Sequence, residues 1–241
     1  MPRSASQRRT LASLASLPLT PAASAYLDRR GLLEVATDLR FGSVPDSPAP
    51  SLRHYAGRLV IPSLGPADNA YDVAFRCIRD HGFSASGETL DCKAAERPQY
   101  LFLPGVDKRL YNLRALARAG GVIDITEGQL DAATLEACGL YAVGVPGAHS
   151  WHRHHRRLFQ GFDRVRVWGD GDAAGKEFAK QVAEALPGAD VMMVEWGQDI
   201  NSMYVSEGRE AILAIAEGEQ DDPDDDVAGD DWPYDSERPG F

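Results

Sequence analysis

At 241 residues, with 44% apolar side chains, the chain can bury one sizeable core and a smaller appendage. No apolar run nears the roughly 18 residues that cross a bilayer, and the first twenty residues lack a continuous signal-peptide core. A soluble, cytoplasmic protein with no membrane partner is expected. Cys77, Cys92 and Cys138 are far apart and form no Cys-x-x-Cys, which argues against a disulfide framework or local zinc knuckle, so no zinc is expected.

The net charge of −11 is unevenly spread. Residues 217–241 hold eleven acids against Arg238 alone, leaving the body near neutrality. Within that body, residues 1–60 carry eight arginines against four acids, and the stretch 149–166 carries five against one. Basic patches of this kind suit nucleic acid. The acidic run 217–241, poor in branched apolar residues, is read as a disordered tail.

In chain order, residues 1–23 read as a flexible terminus. A helical piece over 22–39 and a Pro- and Ser-rich loop over 42–51 follow. "GRLVIPSL" and "AYDVAFRCIRD" read as strands about the turn "GPADN", followed by "QYLFLPG" and a helix-like "DKRLYNLRALARA". Residues 24–119 thus make a small α+β subdomain. From Gly121 the rhythm becomes strand, helix, strand: "GVIDITEG", "QLDAATLEACG", "LYAVGVPG", "SWHRHHRRLFQG", "FDRVRVWGDGD", "AAGKEFAKQVAEALPG" and "ADVMMVEWGQD". Residues 120–216 therefore form a four-stranded parallel sheet covered by helices, an α/β arrangement that gathers ligands at the carboxyl ends of its strands.

Three of those strand ends carry acids: Glu127 after the first, Asp170 and Asp172 after the third, and Asp199 beyond the fourth. One acid at a strand end can be a helix cap, but a set of them repels itself unless a cation is present. Oxygen ligands of this hardness suit Mg²⁺ or Mn²⁺. Gly128, Gly171 and Gly175 remove side chains beside the acids and let phosphate and metal approach the backbone.

"TEGQLDA" together with "WGDGDAAGKEF" resembles the TOPRIM domain shared by bacterial-type primases, type IA and II topoisomerases and some nucleases. "YLDRRGL" with "FG", "GRLVIPSL", "RPQYLFLPG", "KRLYNL" and "GQDINSM" are similar to the catalytic core of DnaG-like DNA primases in particular. The resemblance spans about residues 24 to 207. It implies that Glu127, Asp170 and Asp172 are catalytic, that these three with Asp131 and Asp199 hold metal, and that Arg58, Tyr100, Lys108, Arg109, Lys176 and Asn201 meet nucleic acid or NTP. Asn201 stands where the family usually has aspartate, Gln198 where it has glutamate, and Gln99 where lysine is more typical.

The resemblance further implies primer RNA synthesis on a single-stranded DNA template from NTPs. It also implies a catalytic core without the family's zinc-binding and helicase-interaction domains, as a bacteriophage might encode. A replicative helicase or a separate zinc-binding, template-recognition protein is the implied partner. A TOPRIM nuclease and a non-catalytic replication module are the alternatives.

His149, His152, His154 and His155 invite a metal reading, but no acid joins them; a basic helix beside a nucleic-acid or NTP path is expected instead. "WGDGDAAGK" lacks the phosphate-loop spacing, and its acids would repel phosphate without metal.

Overall fold

The computed structural model describes residues 4–79, 92, 97–104, 108–147 and 150–218. His149 and the acidic run beyond Gly218 lie outside the described residues.

The expectation of a flexible stretch over residues 1–23 is corrected by helix α1 (Ala5–Leu14). Ser4 Oγ accepts the Gln7 amide and Gln7 Oε1 accepts the Ser4 amide, closing a capping box. Leu11 and Leu14, three apart on one face, are buried with Val60, Val73 and Phe75, so the helix is anchored by packing. Helix α2 (Pro21–Asp28) starts on the Thr20 cap with proline in its first turn.

Strands β1 (Gly42–Ser43), β2 (Arg58–Leu64), β3 (Ala70–Cys77) and β4 (Tyr100–Phe102) form an antiparallel sheet in that order. One face meets α1; Leu59, Ile61 and Ala74 turn the other way, into a core shared with Leu27 of α2 and with Leu130, Trp168 and Met192 farther along the chain.

Among the described residues of the segment expected as a helix over 107–119, only α3 (Ala115–Arg118) is an α-helix. Asn112 takes a left-handed φ of 57°, which breaks a helix. Its side chain donates to Glu136 and to the Ala142 carbonyl at 2.8 and 2.9 Å, and Tyr111 bridges to Gly144. These bonds tie the connector to the second sheet.

That sheet contains β5 (Val122–Thr126), β6 (Ala142–Gly144), β7 (Arg164–Gly169) and β8 (Asp190–Met193). Its order is β6-β5-β7-β8, all parallel. Helices α4 (Gln129–Ala137) and α5 (Ala173–Ala185) make the crossovers. α6 (Ile200–Glu207) and α7 (Arg209–Glu217), which the sequence reading leaves unassigned, follow. The side chains alternate as the pleat requires. Ile123, Ile125, Val165 and Val167 pack with Phe178 and Val182 of α5, while Asp124, Arg166 and Trp168 face the other way. There Arg166 makes two 2.8 Å bonds to Asp124, Trp168 Nε1 donates to Asp124 at 2.6 Å, and Arg166 Nη1 donates to the Ala216 carbonyl at 3.0 Å.

The segment 150–161, expected as a helix, forms only a 3₁₀ turn at Arg153–Leu158 that buries none of its residues. It offers no apolar stripe to a neighbour, and the anchoring side chains, Trp151 and Phe159, flank it. Among the described residues no helix is long and apolar enough to cross a membrane.

Candidate active site

A cleft of about 320 Å³ opens where the carboxyl edge of the parallel sheet meets the antiparallel sheet. Glu127 lines it from the β5–α4 turn, Asp131 from the first turn of α4, Asp170 from the end of β7 and Asp199 from the start of α6. Arg30, Arg76, Tyr100 and Lys108 line it from the first half of the chain. Each of these four acids follows residue 120 and each of these cations precedes it.

Two turns hold the acids in place. Gly171 leaves no room for a Cβ against the Glu195 carbonyl. Its amide donates to the Gln198 carbonyl at 2.9 Å, and the Gly197 amide donates back to Gly171 at 2.8 Å. Gly175 packs against the Asp170 backbone with the same lack of space, and a Cβ at Gly128 would meet the tip of the Asp131 carboxylate. Asp199 caps α6, its Oδ1 accepting the Ser202 amide at 2.6 Å.

The electrostatics of the cleft are unbalanced. Burial raises the Asp170 carboxyl to about 8, and Asp131, Glu127, Asp199 and Asp172 add to the rise. Burial, then Asp199 and Glu127, raises Asp131 to about 6, with Arg76 and Arg30 opposing. Asp170 Oδ1 is buried without a hydrogen-bond partner. A buried orphan oxygen amid like charges is the environment that a hard cation relieves. Among the described residues no three His, Cys, Asp or Glu side chains converge as a ready-made metal cage. The oxygen donors that do line the cleft are the carboxylates of Glu127, Asp131, Asp170 and Asp199, the ligand type that hard divalent cations take.

The cationic wall is built on tyrosines. Arg76 donates to Tyr26 Oη at 2.7 Å and to Tyr100 Oη at 2.6 Å, and Arg30 lies 5.1 Å from the Tyr26 ring centroid. Lys108 Nζ reaches the Pro146 carbonyl at 3.4 Å and lies 5.1 Å from the Phe102 ring. Arg30 and Arg76 escape the sequence reading. Arg76 is the only cation of β3, a weak signal, while Arg30 falls in the stretch 22–39 that reads as helical but lies beyond the end of α2 at Asp28.

Several expected residues stand elsewhere. Asp172 caps α5, accepting the Gly175 amide at 2.7 Å, and is not among the residues lining the cleft. Asn201, expected to meet nucleic acid or NTP, is a buried strut: Nδ2 donates to Arg30 O and Thr134 Oγ1, both at 3.0 Å, and Oδ1 accepts from Arg30 at 2.7 Å. Arg58 spends its guanidinium on the carbonyls of Phe75, Gln99 and Pro98, bracing the strand entry. Arg109 lines a neighbouring cavity, and Lys176 is exposed, 5.0 Å from the Trp196 ring.

Comparison with known proteins places this geometry. The chain is 47% identical over 117 residues to the Gene 57 protein of Mycobacterium phage D29, an alignment covering 48% of this chain and 77% of that protein. The chain belongs to the family of that phage protein. This chain also aligns with a bacterial primase: it is 31% identical over 195 residues to the DNA primase of Neisseria meningitidis serogroup A, covering 71% of the chain but 32% of the primase. It thus spans about a third of that enzyme's length. A solved DnaG catalytic core superposes with a TM-score of 0.67 at 21% identity, covering 88% of this chain and 79% of that one. A DnaG primase catalytic domain bound to single-stranded DNA gives 0.63 at 22% identity, covering 89% and 83%. The phage-family chain therefore has the fold of the DnaG catalytic core. No family model matches it.

Proposed function

We propose that the chain synthesises short RNA primers on a single-stranded DNA template by metal-dependent nucleotidyl transfer. The observation that carries this reading is the cleft itself. Carboxylates crowd one side, with Asp170 Oδ1 orphaned, and arginine and lysine stand opposite, within the fold of a primase core.

In this reading Glu127, Asp131, Asp170 and Asp199 hold Mg²⁺ or Mn²⁺, which when bound neutralises the triphosphate and acidifies the attacking hydroxyl. Arg30, Arg76 and Lys108 offset phosphate charge and set its orientation, so that a 3′-hydroxyl lies in line with the α-phosphorus. A bond would form between the 3′-oxygen and the α-phosphorus as the bond from that phosphorus to the oxygen bridging the β-phosphate breaks, with the hydroxyl proton passing to solvent and the electron pair leaving on pyrophosphate. Catalysis rests on positioning and charge. Asp172 fixes the start of α5 and supports the Asp170 turn.

Template is supported by the DNA-bound core of the same fold, and a helicase or a separate template-recognition protein is the proposed partner. Incubating single-stranded DNA with labelled NTPs and Mg²⁺ or Mn²⁺ tests the reading. Oligoribonucleotides, lost in Asp170→Asn, are expected; shortened template without RNA product would assign the cleft to a nuclease.

A further inference from the structure

Beside the acidic cleft lies a second cavity, of about 470 Å³, lined by the imidazoles of His152, His154 and His155, by Leu158 and by the cations Lys108 and Arg109. Lys108 also lines the acidic cleft, so the two adjoin. Among the described residues no acid lines the second cavity, and the sequence has none between Glu136 and Asp163, a stretch that holds Arg153, Arg156 and Arg157.

The imidazoles are arranged as aromatic surface. His152 and His154 stack with centroids 5.5 Å apart and planes 14° from parallel. His154 meets His155 edge-on at 4.4 Å, and His155 in turn meets buried Trp151 at 5.5 Å. Burial, then the neighbouring imidazoles, pushes His155 down to about 4, and its Nδ1 accepts the His152 amide at 3.2 Å. His155 is therefore neutral near pH 7. The three rings do not converge on a metal.

We infer that this cavity receives a base of single-stranded nucleic acid leaving the acidic cleft over Lys108, stacked on the histidine rings, with its phosphates on Arg153 and its neighbours. Aromatic rings beside a cationic track are how single strands are held without regard to sequence. Free NTP fits less well, because it arrives with a divalent ion and none of the described residues lining the cavity is a carboxylate that would meet one. The inference rests on the nucleotidyl-transfer reading for the class of ligand.

The test is anisotropy of labelled oligothymidylate with the full chain, without metal or NTP. His154 and Leu158 are exposed, so His154→Ala and Leu158→Gln fold, which their melting temperatures verify. Each should weaken binding about five- to tenfold, as loss of one stacking contact does. Arg153→Ala should lower the slope of log affinity against log salt by about one, with the slope unchanged in His154→Ala. Unaltered strand affinity in both His154→Ala and Leu158→Gln overturns the inference alone. So does loss of ATP binding, measured separately with Mg²⁺, in His154→Ala or Leu158→Gln with strand binding intact. Absence of strand binding by the unaltered chain overturns it together with the template reading.

Discussion

Asn201 and Thr134 share a 3.0 Å hydrogen bond between buried side chains, joining α6 to α4. With the two bonds to Arg30, it makes Asn201 the point where three segments meet behind the acid turns. Asn201→Ala strands these partners and should cost about 1–3 kcal/mol, or roughly 2–10 °C in melting temperature. DNA affinity per folded molecule should hold. A wild-type melting curve with weakened DNA binding would return Asn201 to the ligand-binding set.

Asp170 should trade stability for activity. Its carboxyl sits above its unfolded value, so the folded state disfavours its ionisation. The stability cost is absent below about pH 4, grows with rising pH and is complete above about pH 8. Asp170→Asn should therefore melt higher than wild type by a margin that widens across that window, by about 1–3 kcal/mol at pH 8 after allowing for solvent screening. Mg²⁺ or Mn²⁺ should narrow the gap by stabilising only the wild type. Calorimetry of both proteins from pH 4 to 9 decides it, and primer synthesis should vanish in the variant.

The buried pair of Asp124 and Arg166 should be costly to break and cheap to replace. Arg166→Met leaves the carboxylate unpaired and should destabilise by about 3–5 kcal/mol. Asp124→Leu added to it should recover part of that loss, with the Trp168 indole N–H left without its acceptor as the remainder. Denaturant titration of the single and double variants measures the difference.

Gly171→Ala drives a methyl into the Glu195 carbonyl. Backbone cannot yield as a side-chain tip does, so the variant should lose about 1–3 kcal/mol. Synthesis should fall far more than stability does, because the displaced turn carries Asp170. Comparable activity per folded molecule would show that the two turns move independently.

The parallel half is legible in the sequence because a sheet covered on both faces writes short apolar strands between helices and puts its acids at their ends. Glu127, Asp170 and Asp199 are readable on that ground. Arg30 and Arg76 are not, since what brings them to the cleft is packing between segments far apart in the chain. α1 is misread because polar and small residues surround its two anchoring leucines. The histidine turn is misread because charge spacing resembles a solvated helix while nothing there holds helical geometry. Asn201 shows the limit of motif transfer: its position matches the motif, but its side chain is consumed by Thr134 and Arg30.

The division of the cleft between acids from after residue 120 and cations from before it bears on how the protein can be re-engineered. Grafting the parallel half onto another scaffold would carry Glu127, Asp131, Asp170 and Asp199 but leave behind Arg30, Arg76 and Lys108, giving a self-repelling patch with no grip on a triphosphate. Conversely, the two halves expressed as separate polypeptides would each be inert, and activity on mixing would report their reassembly. The cleft is the seam, and it is inherited only when both sides travel together.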